Sequence, residues 1–330
     1  MAGVSDRTMR GWHVHEFGGL EAMRLEPLPV PQPGPGQVRV RVHASGINFA
    51  ETRMRAGTYS GQALPFTMGM ESAGVVDAVG PGVTACRAGD RVFGRARGSH
   101  AEYVLMDELH ALPLPDSLDF VGGAAIPVGW LTAWHALVTV ADPAPGARVL
   151  IEAVASSVGS AALQIAKWRG CWVAGTASRD DKLARARGWG ADAVYNYRTD
   201  DVAARVRADT DGHGIDVGLM TIGEETAQAL FDSMAYEGRI VMYGSTGGRQ
   251  VCFSLNIGTR NLQLHSMSIS TSARFPTETM RTFRELALPR FADGTFRPVV
   301  DVVLPFEELP RAHELVDART HFGKIVLTVP

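Results

Sequence analysis

The chain has 330 residues, 45% of them hydrophobic and 20% charged, with a formal net charge of −3. That length favours two domains with cores of their own, and the charge balance leaves no basic excess for neutralising nucleic-acid phosphates. The three cysteines, Cys86, Cys171 and Cys252, are far apart and odd in number, which argues against a disulfide framework and for a reducing, cytoplasmic setting.

The first 17 residues carry charge early and hold no continuous apolar run, so no secretory signal is expected. The stretch 29–37 (PVPQPGPGQ) is a rigid proline-rich connection. Next, Val38, Val40 and Val42 alternate with Gln37, Arg39 and Arg41, the period of a half-buried strand. Short runs punctuated by Gly and Asp follow at 72–83 (SAGVVDAVGPGV), 88–94 (AGDRVFG) and 99–105 (SHAEYVL). Closely spaced short strands of this kind predict a small barrel-like β domain.

Residues 121–141 (VGGAAIPVGWLTAWHALVTVA) are uncharged over a length that could span a bilayer. Pro127, two tryptophans, a histidine and the acidic flanks Asp119 and Asp142 point instead to a buried interdomain helix in a soluble protein, with no membrane partner.

From 147 to 269 six apolar runs alternate with four helix-like stretches. The runs are VLIEA, CWVAGTA, AVYNY, IDVGLMTI, RIVMYG and LQLHSMSI; SAALQIAKWRG, DDKLARARGWG, TDDVAARVRA and ETAQALFDSM lie between them. Parallel strands need crossovers and helices supply them, so this pattern predicts an α/β fold with a doubly wound parallel sheet. The tail predicts a helix over 278–287, a strand over 299–303, a helix over 307–316 and a strand over 324–329, which together complete the first domain and make it discontinuous. The expected division is 1–129 with 273–330, and 130–272.

The first of these strands runs into VASSVGS at 154–160 and directly into a helix. A strand, a tight turn of small residues and a helix N-terminus cradle a pyrophosphate, because backbone N–H groups and the helix dipole face it. Ser156, Ser157, Val158 and Gly159 are the candidate contacts, with serines standing where a full glycine fingerprint has glycines. An NAD site would place a carboxylate after the second strand to bond the ribose hydroxyls. Here that strand ends in Ser178 and Arg179, with Lys182 one turn on: a hydroxyl and two cations that suit a 2′-phosphate and favour NADPH. Asp180 and Asp181 sit at a helix N-terminus, where the dipole gives them a structural reason to be.

Seven segments in order resemble the zinc-less, zeta-crystallin-like quinone oxidoreductases of the medium-chain dehydrogenase/reductase superfamily. They are 44–59 (ASGINFAETRMRAGTY), 69–83 (GMESAGVVDAVGPGV), 88–94, 124–137 (AAIPVGWLTAWHAL), 155–167 (ASSVGSAALQIAK), 190–198 (GADAVYNYR) and 321–327 (HFGKIVL). The resemblance implies a GroES-like catalytic domain and a Rossmann domain, an active site in the cleft between them, and a homodimer. It places Asn48 and Thr132 beside the nicotinamide and Tyr59 in the substrate pocket as proton donor. Tyr197 then joins Ser178, Arg179 and Lys182 at the 2′-phosphate, and Gly244, Ser245 and Lys324 contact the cofactor.

Zinc-dependent relatives place Cys where this chain has Asn48 and His where it has Met70, and neither replacement is a typical zinc ligand. The lobe with four structural cysteines is also absent. His13 and His15 share a strand face without a third ligand, so no metal is expected. Arg53 and the Thr221-Ile222 stretch depart from the family pattern and bear on the pocket's shape.

The expected activity is NADPH-dependent reduction of a small quinone or enone. The alternatives are an enoyl-thioester or natural-product enone reductase, a structural or RNA-binding protein that merely holds NADPH, and a tailoring protein that no longer transfers hydride.

Overall fold

The computed structural model describes residues 7–244, 246–247, 251 and 257–330. It divides into two compact units. The first runs through Val128 and resumes from Leu286 to Pro330; the second is Gly129–Glu285.

In the first unit, β1 (Thr8–Val14), β2 (Met23–Pro29) and β4 (Phe66–Thr67) make a three-stranded sheet with β1 in the middle. A larger sheet contains β3 (Gln37–Gly46), β5 (Glu71–Val79), β6 (Arg91–Arg95), β7 (Tyr103–Asp107), β8 (Leu112–Pro113), β15 (Val300–Pro305) and β16 (Lys324–Thr328). Strand β3 is central, pairing antiparallel with β5, β7 and β16. Its alternation does the work that the sequence suggests: Val38, Val40 and Val42 are fully buried, while Arg41 faces solvent. These valines pack with Trp12, Val14, Met68, Val92, Val104, Phe306, Ile325 and Leu327 in one core, so residues from both ends of the chain close it. The Trp12 indole N–H donates to the Phe306 carbonyl at 2.9 Å, a second tie between those ends. Helix α1 (Phe49–Arg55) follows β3, and α2 (Phe120–Ala124) lies before the boundary, capped by Asp119 accepting from the Gly122 N–H.

The chain passes into the second unit within α3 (Pro127–Trp134). Residues 121–141 are thus divided between α2, α3 and a wider turn, His135–Ala141, rather than forming one span. No helix among the described residues is long and apolar enough to cross a membrane.

Six strands form the parallel sheet of this unit: β9 (Arg148–Ile151), β10 (Trp172–Ala177), β11 (Ala193–Asn196), β12 (Ile215–Met220), β13 (Met234–Met242) and β14 (Gln263–Ser266). Their spatial order is β11-β10-β9-β12-β13-β14, the doubly wound dinucleotide order in which the winding direction reverses between β9 and β12. Helices α4 (Ser157–Trp168), α5 (Asp180–Gly188), α6 (Val202–Asp209) and α7 (Ala227–Ser233) supply four of the crossovers. The expected helix near 278–287 belongs to a longer helical stretch whose first part packs in the second unit. His135 Nδ1 meets Thr279 Oγ1 at 2.6 Å, and the Phe283 ring meets Trp134 edge-on at 5.6 Å between centroids. That packing puts the second crossing after Glu285, where the sequence suggested 272. The last helix, α8, is Leu309–Asp317.

Close approach at Gly175 holds β10 against the cradle turn. A Cβ there would lie 2.7 Å from Val154 Cβ, closer than carbon atoms pack. Gly175→Ala is expected to destabilise the protein by about 1–3 kcal/mol through overpacking, read as a lower denaturant midpoint with an unchanged slope. Equal or greater stability would contradict the packing described here.

Candidate functional site

The second unit presents a candidate nucleotide cradle at the carboxyl ends of its strands. After β9 the chain turns through Ala153, at φ 49°, and enters α4. Ser156 is the N-cap, its hydroxyl accepting from the Gly159 N–H at 3.0 Å. Gly159 has no room for a side chain, since a Cβ would lie 2.3 Å from the Ala153 carbonyl oxygen. Ser156, Ser157 and Val158 are half-buried at the start of a twelve-residue helix, whose first-turn N–H groups lack intrahelical partners. The buried Thr176 hydroxyl also lacks a partner, on the strand whose carbonyl holds the Val154 N–H. Small side chains, a helix start and an orphaned hydroxyl fit a dinucleotide's phosphates.

The neighbouring strand ends bring the other candidates together. Ser178 follows β10 and Arg179 is the N-cap residue of α5. The Arg179 guanidinium grips Asp181 with two bonds of 2.9 Å, which hold that carboxyl below its usual range; both side chains are about half exposed. Asp180 is also engaged, accepting from the Asn196 amide at 2.8 Å. Tyr197 adjoins the pair because its N–H bonds the Ala177 carbonyl at 3.2 Å. Lys182 is buried on the first turn of α5. Gly244 follows β13 with its Cα beside Thr221, where a Cβ would lie 2.9 Å from the hydroxyl oxygen. Thr132 is buried on α3, and Ser245 lies outside the described residues.

One residue of this cradle escaped the sequence reading. Glu152, buried immediately after β9, accepts from the N–H groups of Thr221 and Ile222, both at 2.8 Å, and from the Thr226 hydroxyl. It satisfies the chain where it leaves β12 across the point of reversal. A glutamate in the apolar run VLIEA was the available signal, because a buried charge requires partners.

The first unit holds a separate, closed polar network. Asn48 sits before α1 with all its amide protons committed: Nδ2 donates to Glu71 Oε1 at 2.7 Å and to Glu51 Oε1 at 3.1 Å. Its Oδ1 accepts from Lys324 Nζ at 2.7 Å, and that ammonium is also ion-paired with Glu71. Glu71 Oε2 accepts from the Val128 N–H at 2.6 Å. Glu51 Oε2 meets His100 Nε2 at 2.7 Å, and His100 Nδ1 meets Ser45 Oγ at 2.7 Å. Ser45 Oγ also donates to the Glu71 carbonyl at 3.0 Å. Burial pushes the Glu51 carboxyl up most strongly, but His100 above all, with the Asn48 hydrogen bond, brings it below its usual range. Burial drives His313 down to about 3, leaving it neutral. Lys324, which the resemblance assigns to the cofactor, has its ammonium held entirely inside this network; its exposure is 1%.

Tyr59 stands apart from these bonds, 37% exposed on the turn after α1, with its N–H on the Arg53 carbonyl at 3.1 Å. Met70 is half-buried, one residue before Glu71.

Family models described as zinc-binding dehydrogenase and alcohol dehydrogenase GroES-like domain match residues 157–288 and 34–116. The quinone oxidoreductase of Rattus norvegicus is 32% identical over 98% of this chain and 99% of its own length. A mycocerosic acid synthase-like polyketide synthase of Mycolicibacterium smegmatis is 32% identical over 99% of this chain, which spans 16% of that much longer protein. Among solved structures, an NAD-dependent alcohol dehydrogenase superposes with a TM-score of 0.88 at 34% identity, covering 98% of this chain and all of that one. A mycobacterial protein complexed with NADPH gives a TM-score of 0.89 at 30% identity, covering 97% and 99%.

Two variants probe this geometry. Lys324→Met strands Glu71 as a buried charge and should cost about 3–5 kcal/mol; adding Glu71→Gln should recover much of that loss in denaturant unfolding. A double variant no more stable than the single would contradict the pairing. Burial raises the Glu152 carboxyl above its ordinary 4.5 despite the bonds it accepts. The folded state therefore keeps a proton that the unfolded chain has already lost, and stability falls as pH rises from there through the raised value. Glu152→Gln should flatten that part of the stability–pH curve, and an unchanged slope would reject the assignment.

Proposed function

Because the chain belongs to the medium-chain dehydrogenase/reductase superfamily and is an oxidoreductase, we propose that it reduces quinones or activated alkenes with NADPH and without a catalytic metal. The superfamily's quinone oxidoreductases bind a nicotinamide cofactor, and what supports NADPH here is the end of β10. Ser178 and Arg179 follow that strand, Tyr197 adjoins them and Lys182 lies on the first turn of α5, while Asp180 and Asp181 are occupied by Asn196 and Arg179. A 2′-phosphate would replace Asp181 as the partner of Arg179 and meet a guanidinium suited to bidentate contact.

A zinc ion does not fit the Asn48 network. Asn48 turns N–H groups toward Glu71 and Glu51, and the Lys324 ammonium already neutralises Glu71. A divalent cation on Glu71 would have to displace that ammonium, and Glu51, the other buried carboxylate of the network, is already engaged by His100. This buried cation is the observation that carries the metal-free reading.

When bound, the reduced nicotinamide supplies a hydride. The start of α4, with Ser156, Ser157 and Val158, holds the pyrophosphate. Asn48 has spent its donors, so it offers a ligand the remaining lone pair of Oδ1, an acceptor for a carboxamide N–H. Thr132 shares the task of orientation. A quinone leaves as a stabilised phenolate and needs little acid help. An enone needs a proton at carbon, which the Tyr59 phenol supplies. The similarity to a polyketide synthase supports a second reading, reduction of an enoyl thioester by the same residues. A homodimer completes the proposal and is tested by light scattering.

NADPH consumption, followed by absorbance with quinone, enone and enoyl-thioester acceptors and an enzyme-free blank, identifies the reaction. Arg179→Ala should raise KM for NADPH by about tenfold, the worth of one charged hydrogen bond, and leave NADH kinetics unchanged. Tyr59→Phe should lower kcat with enones by about 10²-fold or more and spare quinone turnover. Tight NADPH binding with no turnover of any acceptor would overturn the reductase reading.

A further inference from the structure

We propose that His13, His15 and Glu26 form a surface site for a borderline divalent cation such as zinc, separate from the Asn48 network and from the nucleotide cradle. His13 lies on β1 and His15 follows one residue past its end, two positions on. The antiparallel neighbour β2 supplies the third ligand that the sequence could not show. His15 Nε2 lies 2.8 Å from Glu26 Oε1, and the His13 and His15 rings are 4.8 Å apart between centroids. One ligand atom from each of the three falls within 4.8 Å of the other two.

The surroundings suit coordination. His13 Nδ1 meets Thr67 Oγ1 on β4 at 3.1 Å, which orients the ring and leaves Nε2 for a metal. Tetrahedral zinc at about 2.0–2.1 Å from each ligand needs donor atoms about 3.4 Å apart. His15 and Glu26, now 2.8 Å apart, have to open by about half an ångström, and the half-buried His13 ring has to close by up to about 1.4 Å. Entry of the cation replaces the His15–Glu26 hydrogen bond, and water fills the fourth position. Arg24 opposes His13 across the strands and is exposed, so it works against a cation and keeps the affinity below that of a four-ligand structural site. An occupied site would pin β1 to β2.

The test is calorimetric titration of the full chain with zinc chloride, repeated with cobalt(II) to read its visible d–d absorption. One equivalent should bind, with the intense bands of four-coordinate cobalt. Glu26→Gln should weaken zinc binding at least tenfold, and His13→Ala/His15→Ala should abolish both that equivalent and the cobalt bands. Neither variant touches the cradle, so circular dichroism and NADPH binding should stay at wild-type levels and report that each is folded. No zinc binding by the wild-type chain, or equal binding by the double variant, would overturn the site.

Discussion

The Lys324 ammonium, buried between Glu71 and Asn48, is the constraint on which the first unit turns. Removing a charge from water is costly, and the cost is offset only when its partners are close and their remaining hydrogen bonds are met. Here they are: Glu71 also takes the Val128 N–H, Asn48 passes its second proton to Glu51, and Glu51 pairs with His100. Lys324 opens β16 and Glu71 opens β5, and both strands flank β3, so these bonds tie the two neighbours of the central strand to each other. The same bonds set what chemistry remains. A positive charge lies beside Glu71, and Asn48, turned as donor toward both carboxylates, has its amide oxygen held in one orientation.

The second unit depends on a different economy. Parallel strands buried on both faces end in loops whose backbone groups need partners, and the loops on either side of the reversal between β9 and β12 are where a ligand comes to the sheet. Glu152 takes two of those N–H groups and the Thr226 hydroxyl, stiffening the exit from β12 at the expense of an elevated pKa. Ser156 does the equivalent for the start of α4 by capping Gly159. The groups left over are those that phosphates complement.

Much of this architecture could be read from the chain because its cause is local. The valine alternation of β3, the apolar runs of the parallel sheet and the small residues before α4 each express a period or a steric demand within a few neighbours. The candidates Ser156 to Gly159, Ser178, Arg179 and Tyr197 come to adjoining strand ends for the same reason: they follow successive parallel strands. What could not be read depends on partners distant in sequence. Glu51 finds His100, Glu152 finds Thr221, and Lys324 finds Glu71 across 253 positions. The Trp134–Phe283 contact that carries the second unit to Glu285 is equally long-range, whereas the sequence pattern alone points to 272. Glu26 makes the same point on the surface, since only the pairing of β1 with β2 brings it to the histidines.

The most direct test of the account is the rate of NADPH oxidation with a quinone acceptor before and after exhaustive chelation, with metal content measured on the same sample. A hydride-transfer site built around Lys324, Glu71 and Asn48 should retain its full rate when metal-free, whatever becomes of a cation at the β1–β2 surface. A rate abolished by chelation and restored by added zinc would contradict it.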